Sequence, residues 1–333
     1  MNNVLWDVKL KSKIPLCFYP TQIVFVDDNT EFLATLSIAF SKQFNVKLFD
    51  DTDLALKYIN EHQRKNHLVE NTEKPKPEGD SEVWVKQVLT RQNLKRFDEL
   101  RIREVSVVVV DYSMPSMNGI EFCENIKNSS IKKILLTGYA TSTDAVKAFN
   151  NNTINYYLKK NDENMLQELE ATIHQLQHAY FNELSSSIKA EAIDSGTPFF
   201  ADPQLARYFR TNCESLGVTE YFYLTNPSRF ALRTHNQDKF LCIIYTEEDI
   251  NEHLQVLIEE SAPTNLYSAI ESRQFIPYFQ TADGFYDPGM SNPISHLHPA
   301  IHIKGQVNYY CAIIPDKSEK TTPAVALRTG SFH

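Results

Sequence analysis

Four apolar runs, each closed by a reactive polar residue, constrain this chain more than anything else in it: Ile23-Val-Phe-Val-Asp-Asp28, Val107-Val-Val-Val-Asp111, Ile134-Leu-Leu-Thr137 and Tyr156-Tyr-Leu-Lys159. A continuous apolar run of this length reads as a strand buried on both faces, as in a parallel sheet. Ligands of open α/β sheets bind just outside the carboxyl ends of the strands. The four ends therefore bring acids, a hydroxyl and an amine to one edge. Such a set can hold a divalent cation, accept a phosphoryl group and sense it.

Helical periodicity between the runs completes a doubly wound pattern. Residues 21–162 are predicted to form a five-stranded parallel α/β unit, with strands at about 22–27, 46–49, 105–110, 133–136 and 154–158. Residues 1–20 read as an irregular leader. The pattern is interrupted at 63–103 by a loop of Lys, Glu, Asn, Pro and Gly followed by a basic helical stretch carrying Lys86, Arg91, Lys95, Arg96, Arg101 and Arg103. That stretch is a solvated helix face or a docking surface for an acidic partner. A connector helix spans 163–195, with Leu169, Ile173, Leu176, Tyr180, Leu184 and Ile188 at steps of three or four. Part of this stripe must cover the sheet, and the rest is a linker or a short coiled coil. His174 and His178 share a face and read as connector surface. Residues 196–333 form a separate α+β domain, whose runs near 221–225, 230–234 and 240–245 are parted by turn signals and suggest an antiparallel meander.

With 333 residues, two domains with proper cores are possible. A net charge of -9 works against non-specific binding to nucleic acid or anionic membrane. The five cysteines are unpaired by spacing and read as buried free thiols in a reducing cytosol. The N-terminus shows no signal-peptide core, and no apolar run approaches the ~20 residues of a membrane span.

Asp111 opens the stretch Asp111-Tyr-Ser-Met-Pro-Ser-Met-Asn-Gly119. Together with Asp27 and Asp28 after the first strand, Thr137 after the fourth and Lys159 after the fifth, it resembles the receiver domain of two-component response regulators, over about residues 21–162. Electrostatics supports this independently: two unit charges ~4 Å apart repel by about 4 kcal/mol at an effective dielectric near 20, so three clustered carboxylates need a cation. Hard oxygen ligands suit Mg²⁺.

The resemblance implies roles for these residues. Asp28 and Asp111 would bind Mg²⁺ directly, Asp27 through water, and Ser113 by its backbone carbonyl. Asp111 would be the phospho-acceptor, with Thr137 donating a hydrogen bond to the acyl phosphate and Lys159 neutralising its oxygens. Tyr156, three residues before Lys159, would be the aromatic that changes rotamer with the state of the site. The partners implied are a sensor histidine kinase or phosphotransfer protein, and a second copy in a homodimer formed on phosphorylation. Two departures stand out. Lys160 occupies the place of the usual proline after the lysine, and 83 residues separate Asp28 from Asp111, an excess that matches the basic insert. Long surface insertions cost little entropy.

The second domain shows no phosphate-binding glycine loop, zinc pattern or nucleophile elbow. Its ten Lys and Arg against fifteen Asp and Glu disfavour DNA binding. His296, His298 and His302, with Asp283 and Asp287 nearby, form either a metal site or a polar loop. Tyr221, Tyr223, Tyr309 and Tyr310 read as core. The overall layout resembles response regulators of quorum-sensing circuits: an acceptor delayed by an insert, a long connector helix and a non-classical α+β output. The leading expectation is a phosphorylation-switched signalling protein. The alternative is a response regulator whose output domain is an enzyme or binder for a nucleotide or other small ligand. An aspartyl phosphatase is disfavoured because Ser113 stands where its second acid is needed.

Overall fold

The computed structural model describes residues 13–61, 103–138, 143–192, 198–224, 229–281 and 283–316. The basic insert therefore falls almost wholly outside the described residues.

The four apolar runs become the middle and one edge of a parallel sheet. Its strands are β2 (Gln22–Val26), β3 (Asn45–Phe49), β4 (Val105–Asp111), β5 (Lys132–Thr137) and β6 (Tyr156–Lys159), in the order β3-β2-β4-β5-β6. Successive side chains of a strand point to opposite faces, so each run feeds two cores. Ile23, Phe25, Val107, Val109 and Leu158 meet Leu33, Leu36 and Phe40 of helix α1 (Thr30–Phe40) on one face. On the other, Val24, Val26, Val108 and Val110 meet Ala55 and Ile59 of α2 (Thr52–Glu61), Phe122 and Cys123 of α3 (Gly119–Glu124), and Ala145 and Ala148 of α4 (Thr143–Asn150). Each fully buried aliphatic side chain contributes roughly 1.5–3 kcal/mol, which is why the runs lack polar residues until they leave the sheet.

The long helix α5 (Met165–Ala192) serves both halves of the molecule. Met165, Leu169, Ile173 and Leu176 complete the α1 face of the parallel sheet. One turn on, Tyr180 and Phe181 enter the core of the second domain, with Leu184 packed against it. The stripe is thus consumed within the chain as far as Leu184, which removes the coiled-coil reading for that part of it. His174 and His178 are buried rather than on the connector surface. His174 lies 4.6 Å from the Phe44 ring, and His178 stacks on Phe18 at 4.6 Å.

The second domain is built on a six-stranded antiparallel sheet, β1-β7-β8-β9-β13-β12. The meander expected near 221–245 is β7 (Val218–Leu224), β8 (Arg229–Thr234) and β9 (Lys239–Thr246). Strand β13 (Asn308–Pro315) pairs with β9, and β12 (Ile301–Lys304) forms one edge. Helix α6 (Pro203–Leu216) covers one face; α7 (Glu247–Glu259) and α8 (Thr264–Glu271) cover the other. Strands β10 (Phe275–Pro277) and β11 (Leu297–Pro299) form a small separate ribbon. Tyr221, Tyr223, Tyr309 and Tyr310 are core, and all five cysteines are buried and outside any disulfide.

The remaining edge strand, β1 (Cys17–Phe18), comes from the segment read as leader. It pairs antiparallel with β7. Ile14, Leu16, Cys17, Phe18 and Tyr19 are buried in the second core. The leader reading fails from residue 14 because these apolar side chains find a sheet whose partner strand lies just over two hundred residues away in sequence. The core of the second domain thus draws on residues 14–19 and on Tyr180 and Phe181 as well as on the chain beyond 196.

Candidate functional site at the carboxyl edge of the parallel sheet

Strand β2 ends at Val26, and the chain turns into α1 through Asp27, Asp28 and Asn29. Asn29 caps α1, its side chain accepting from the amide of Phe32 at 3.0 Å, while Asp27 Oδ1 accepts from the amide of Asn29 at 3.0 Å. Asp27 is buried and Asp28 exposed. On the neighbouring strand, Asp111 is buried, and its Oδ2 accepts from the amide of Ser113 at 3.0 Å. The loop from Asp111 folds back tightly, with the Gly119 amide donating to the Tyr112 carbonyl at 2.9 Å. A Cβ on Gly119 would sit 2.3 Å from the Asp111 carbonyl oxygen, so only glycine fits there. Thr137 closes β5 and is buried.

Oxygen atoms of Asp27, Asp28 and Asp111 all lie within 4.8 Å of one another. The cation that meets them is Lys160. Its Nζ is 2.6 Å from Asp27 Oδ2 and 2.8 Å from Asp111 Oδ1, and it stands 4.6 Å from the centre of the Phe32 ring. Lys159, the residue expected in this place, is exposed. The reason is strand alternation. Leu158 is buried toward α1 and α5, Lys159 turns outward, and Lys160 turns inward again as its amide bonds to the Thr137 carbonyl at 2.8 Å. The register shift moves the paired aromatic too. Tyr156 packs on the α5 side, and its hydroxyl donates to Glu168 at 3.0 Å. Tyr157, three residues before Lys160, is 37% exposed and lies edge-on to Phe149 of α4. The residue after the inward lysine is Asn161, whose side chain donates to the Gly138 carbonyl at 3.2 Å.

Burial pushes the Asp27 carboxyl above its ordinary range, and the charge of Asp111 adds to this, while the bonds from Lys160 oppose it. Burial alone would depress Lys160, but its hydrogen bonds to Asp111 and Asp27 hold it above the usual lysine value. Three carboxylates around one ammonium leave an excess of negative charge in a partly desolvated pocket. The donor set is all oxygen and spaced for a shared ion, so it fits a hard divalent cation such as Mg²⁺.

The second domain gathers no comparable set. Among the described residues, no other group of three His, Cys, Asp or Glu side chains converges on one point. His296 faces the Tyr278 carbonyl, whereas His302 stacks on Tyr310 and bonds to Asn308 at 2.9 Å, so the two serve different elements. Asp283 and Asp287 each accept a backbone amide within their own loop, from Phe285 and Gly289. These features support the polar-loop reading and leave the proposed metal site without ligands in common.

No helix among the described residues is long and apolar enough to cross a membrane. A search of curated proteins finds no match. The family model of the response regulator receiver domain matches residues 85–170. That span takes in Asp111, Thr137 and Lys160 but not the strand leading to Asp27 and Asp28, which the insert separates from the rest. Among solved structures, the response regulator LqsR of Legionella pneumophila is 27% identical, covers 91% of this chain and 89% of its own, and superposes with a TM-score of 0.75. An adenylate cyclase structure from Rhodopirellula baltica is 22% identical over 50% of this chain and 95% of its own, with a TM-score of 0.35. A CheY-like receiver domain protein from Methanospirillum hungatei JF-1 is 18% identical over 49% of this chain and 98% of its own, with a TM-score of 0.34. The sheet order, the acidic edge with its lysine and the family match agree that the chain carries a CheY-like response regulator receiver domain, and over nearly its full length it is similar to a response regulator.

Proposed function

We propose that the chain is switched by phosphorylation of Asp111. The observation that carries this reading is the convergence of Asp27, Asp28 and Asp111 on one point, with Lys160 bonded to two of them. Asp27, Asp28 and Asp111, with the backbone at Ser113, would hold Mg²⁺, which supplies positive charge to the oxygens of the incoming group. An Asp111 oxygen forms the new bond to phosphorus. The phosphorus–nitrogen bond of a phosphohistidine donor breaks, and its electron pair stays on the imidazole, which takes a proton from solvent. Lys160 leaves its carboxylate partners to neutralise a phosphoryl oxygen, a role assigned here to Lys160 in place of Lys159. Thr137, at the end of the neighbouring strand, donates its hydroxyl to the acyl phosphate, and Tyr157 takes the part of the state-dependent aromatic in place of Tyr156.

The donor is a sensor histidine kinase or a phosphotransfer protein, and the response is homodimer formation or re-docking of the second domain. The likeness to LqsR supports a place in quorum sensing, and the net charge of -9 disfavours direct DNA binding. The test is phosphoryl transfer from a small-molecule donor such as acetyl phosphate in Mg²⁺. Label should appear on the native chain and vanish in Asp111→Asn, and light scattering with beryllofluoride should report any change of assembly. Undiminished labelling in Asp111→Asn overturns the reading.

A further inference from the structure

Lys160 has three neighbours, and they differ in kind. Two are carboxylates, Asp27 and Asp111, at 2.6 and 2.8 Å; the third is the face of Phe32, 4.6 Å from the ammonium. A cation at this distance from a ring centre is attracted by the negative face of the ring. Phe32 sits in the first turn of α1, half-buried against the core beneath, and the Asn29 cap fixes the amide of the same residue. The ring is therefore anchored at both its backbone and its apolar edge, while its face is turned to the pocket.

The three neighbours respond differently to a divalent cation. The carboxylates that hold Lys160 are the same groups that fit the metal, so a bound cation competes for both. An aromatic face offers nothing to a hard, oxygen-seeking ion. The ring alone keeps its attraction for the ammonium when the oxygens are recruited elsewhere.

We propose that Phe32 is the positioning residue for Lys160: it retains the ammonium at the mouth of the pocket once the metal has taken Asp27 and Asp111, so that the amine is in place when a phosphoryl group arrives. This inference rests on the phosphorylation reading above. It assigns the first turn of α1 a part in the affinity for the phosphoryl group, separate from the affinity for the metal.

The experiment uses the full chain with three variants, Phe32→Leu, Phe32→Met and Phe32→Tyr. Mg²⁺ binding alone, beryllofluoride binding in saturating Mg²⁺, and the proton shifts of the Lys160 ε-methylene by NMR are measured on each. The ring current of Phe32 should displace those protons in the native chain and in Phe32→Tyr, and the displacement should be lost in the other two. Beryllofluoride affinity should fall roughly 3- to 30-fold in Phe32→Leu and Phe32→Met, the range of a cation–π contact, with Mg²⁺ affinity within twofold and Phe32→Tyr restored. Either aliphatic variant that folds suffices. Unchanged beryllofluoride affinity in an aliphatic variant, or equal loss in Phe32→Tyr, overturns the proposal. A native chain that binds no beryllofluoride in Mg²⁺ overturns the phosphorylation reading instead.

Discussion

Two adjacent lysines, Lys159 and Lys160, have opposite surroundings, and this difference is testable. Lys160 carries two ion pairs within 2.8 Å, while Lys159 is exposed. A hydrogen bond to a charged group contributes roughly 1.5–3 kcal/mol, so Lys160→Ala should weaken beryllofluoride binding about 10- to 150-fold, whereas Lys159→Ala should stay within twofold. Mg²⁺ affinity in Lys160→Ala should hold or rise, because the ammonium competes for the same oxygens. Titration of the two variants side by side checks this, and the reverse ranking would return the role to Lys159. The convergence of Asp27, Asp28 and Asp111 was legible because the acids follow unmistakable apolar runs. The lysine that meets the acids stands one position beyond the one the motif points to, because a motif counts positions and ignores parity. Ile23, Phe25 and Asp27 lie on alternate positions, as do Val107, Val109 and Asp111, and then Tyr156, Leu158 and Lys160. Carrying that alternation one step past the strand end puts Lys160 on the same face as Asp27 and Asp111. The Phe32 contact has no such signal, because it depends on how α1 leans over the sheet.

Helix α5 was expected as an amphipathic connector over 163–195, and a helix is described there over Met165–Ala192. What the spacing did not show is that one stripe serves two cores, because a periodic pattern reports that a face is buried without saying against what. The histidines make that burial measurable. His174 is 4% exposed, and its Nδ1 has no hydrogen-bond partner. Burial, with the neighbouring His178 adding to it, lowers its pKa from 6.5 to about 4. The unfolded chain therefore binds a proton that the folded chain refuses between those two values. Stability is full above about pH 6.5 and is lost as pH falls toward about 4, by up to roughly 3 kcal/mol from this residue. Urea unfolding at pH 7 and at pH 5 should show a smaller difference in His174→Leu than in the native chain. An equal difference in both would mean that His174 titrates normally and is not enclosed by α5.

At the scale of the whole molecule, the two halves are joined twice, once through α5 and once through the segment before β2. The second joint is tied at Glu104, which directly precedes β4. Its carboxylate accepts the hydroxyls of Tyr19 at 2.7 Å and Tyr180 at 2.5 Å. Beside it, Thr21 shares a hydrogen with Ser106 at 2.6 Å and accepts from Gln177 at 3.1 Å. The strands that lead to Asp27 and Asp111 thus begin at the junction with the second domain. This arrangement was invisible in the sequence, because a two-residue strand has no period and its partner lies in another domain. It predicts an asymmetric result for removal of residues 1–20. The receiver sheet takes no strand from the described residues of that segment, so beryllofluoride binding in Mg²⁺ should survive within a few-fold. The second domain loses β1 and the side chains of Ile14, Leu16, Cys17, Phe18 and Tyr19 from its core. At roughly 1.5–3 kcal/mol for each large apolar side chain, the loss rivals the whole stability of a typical domain, about 5–15 kcal/mol. Limited proteolysis should then cut the second domain rapidly and leave a resistant receiver, whereas equal resistance of both halves would show that the strap is an ornament on a domain complete without it.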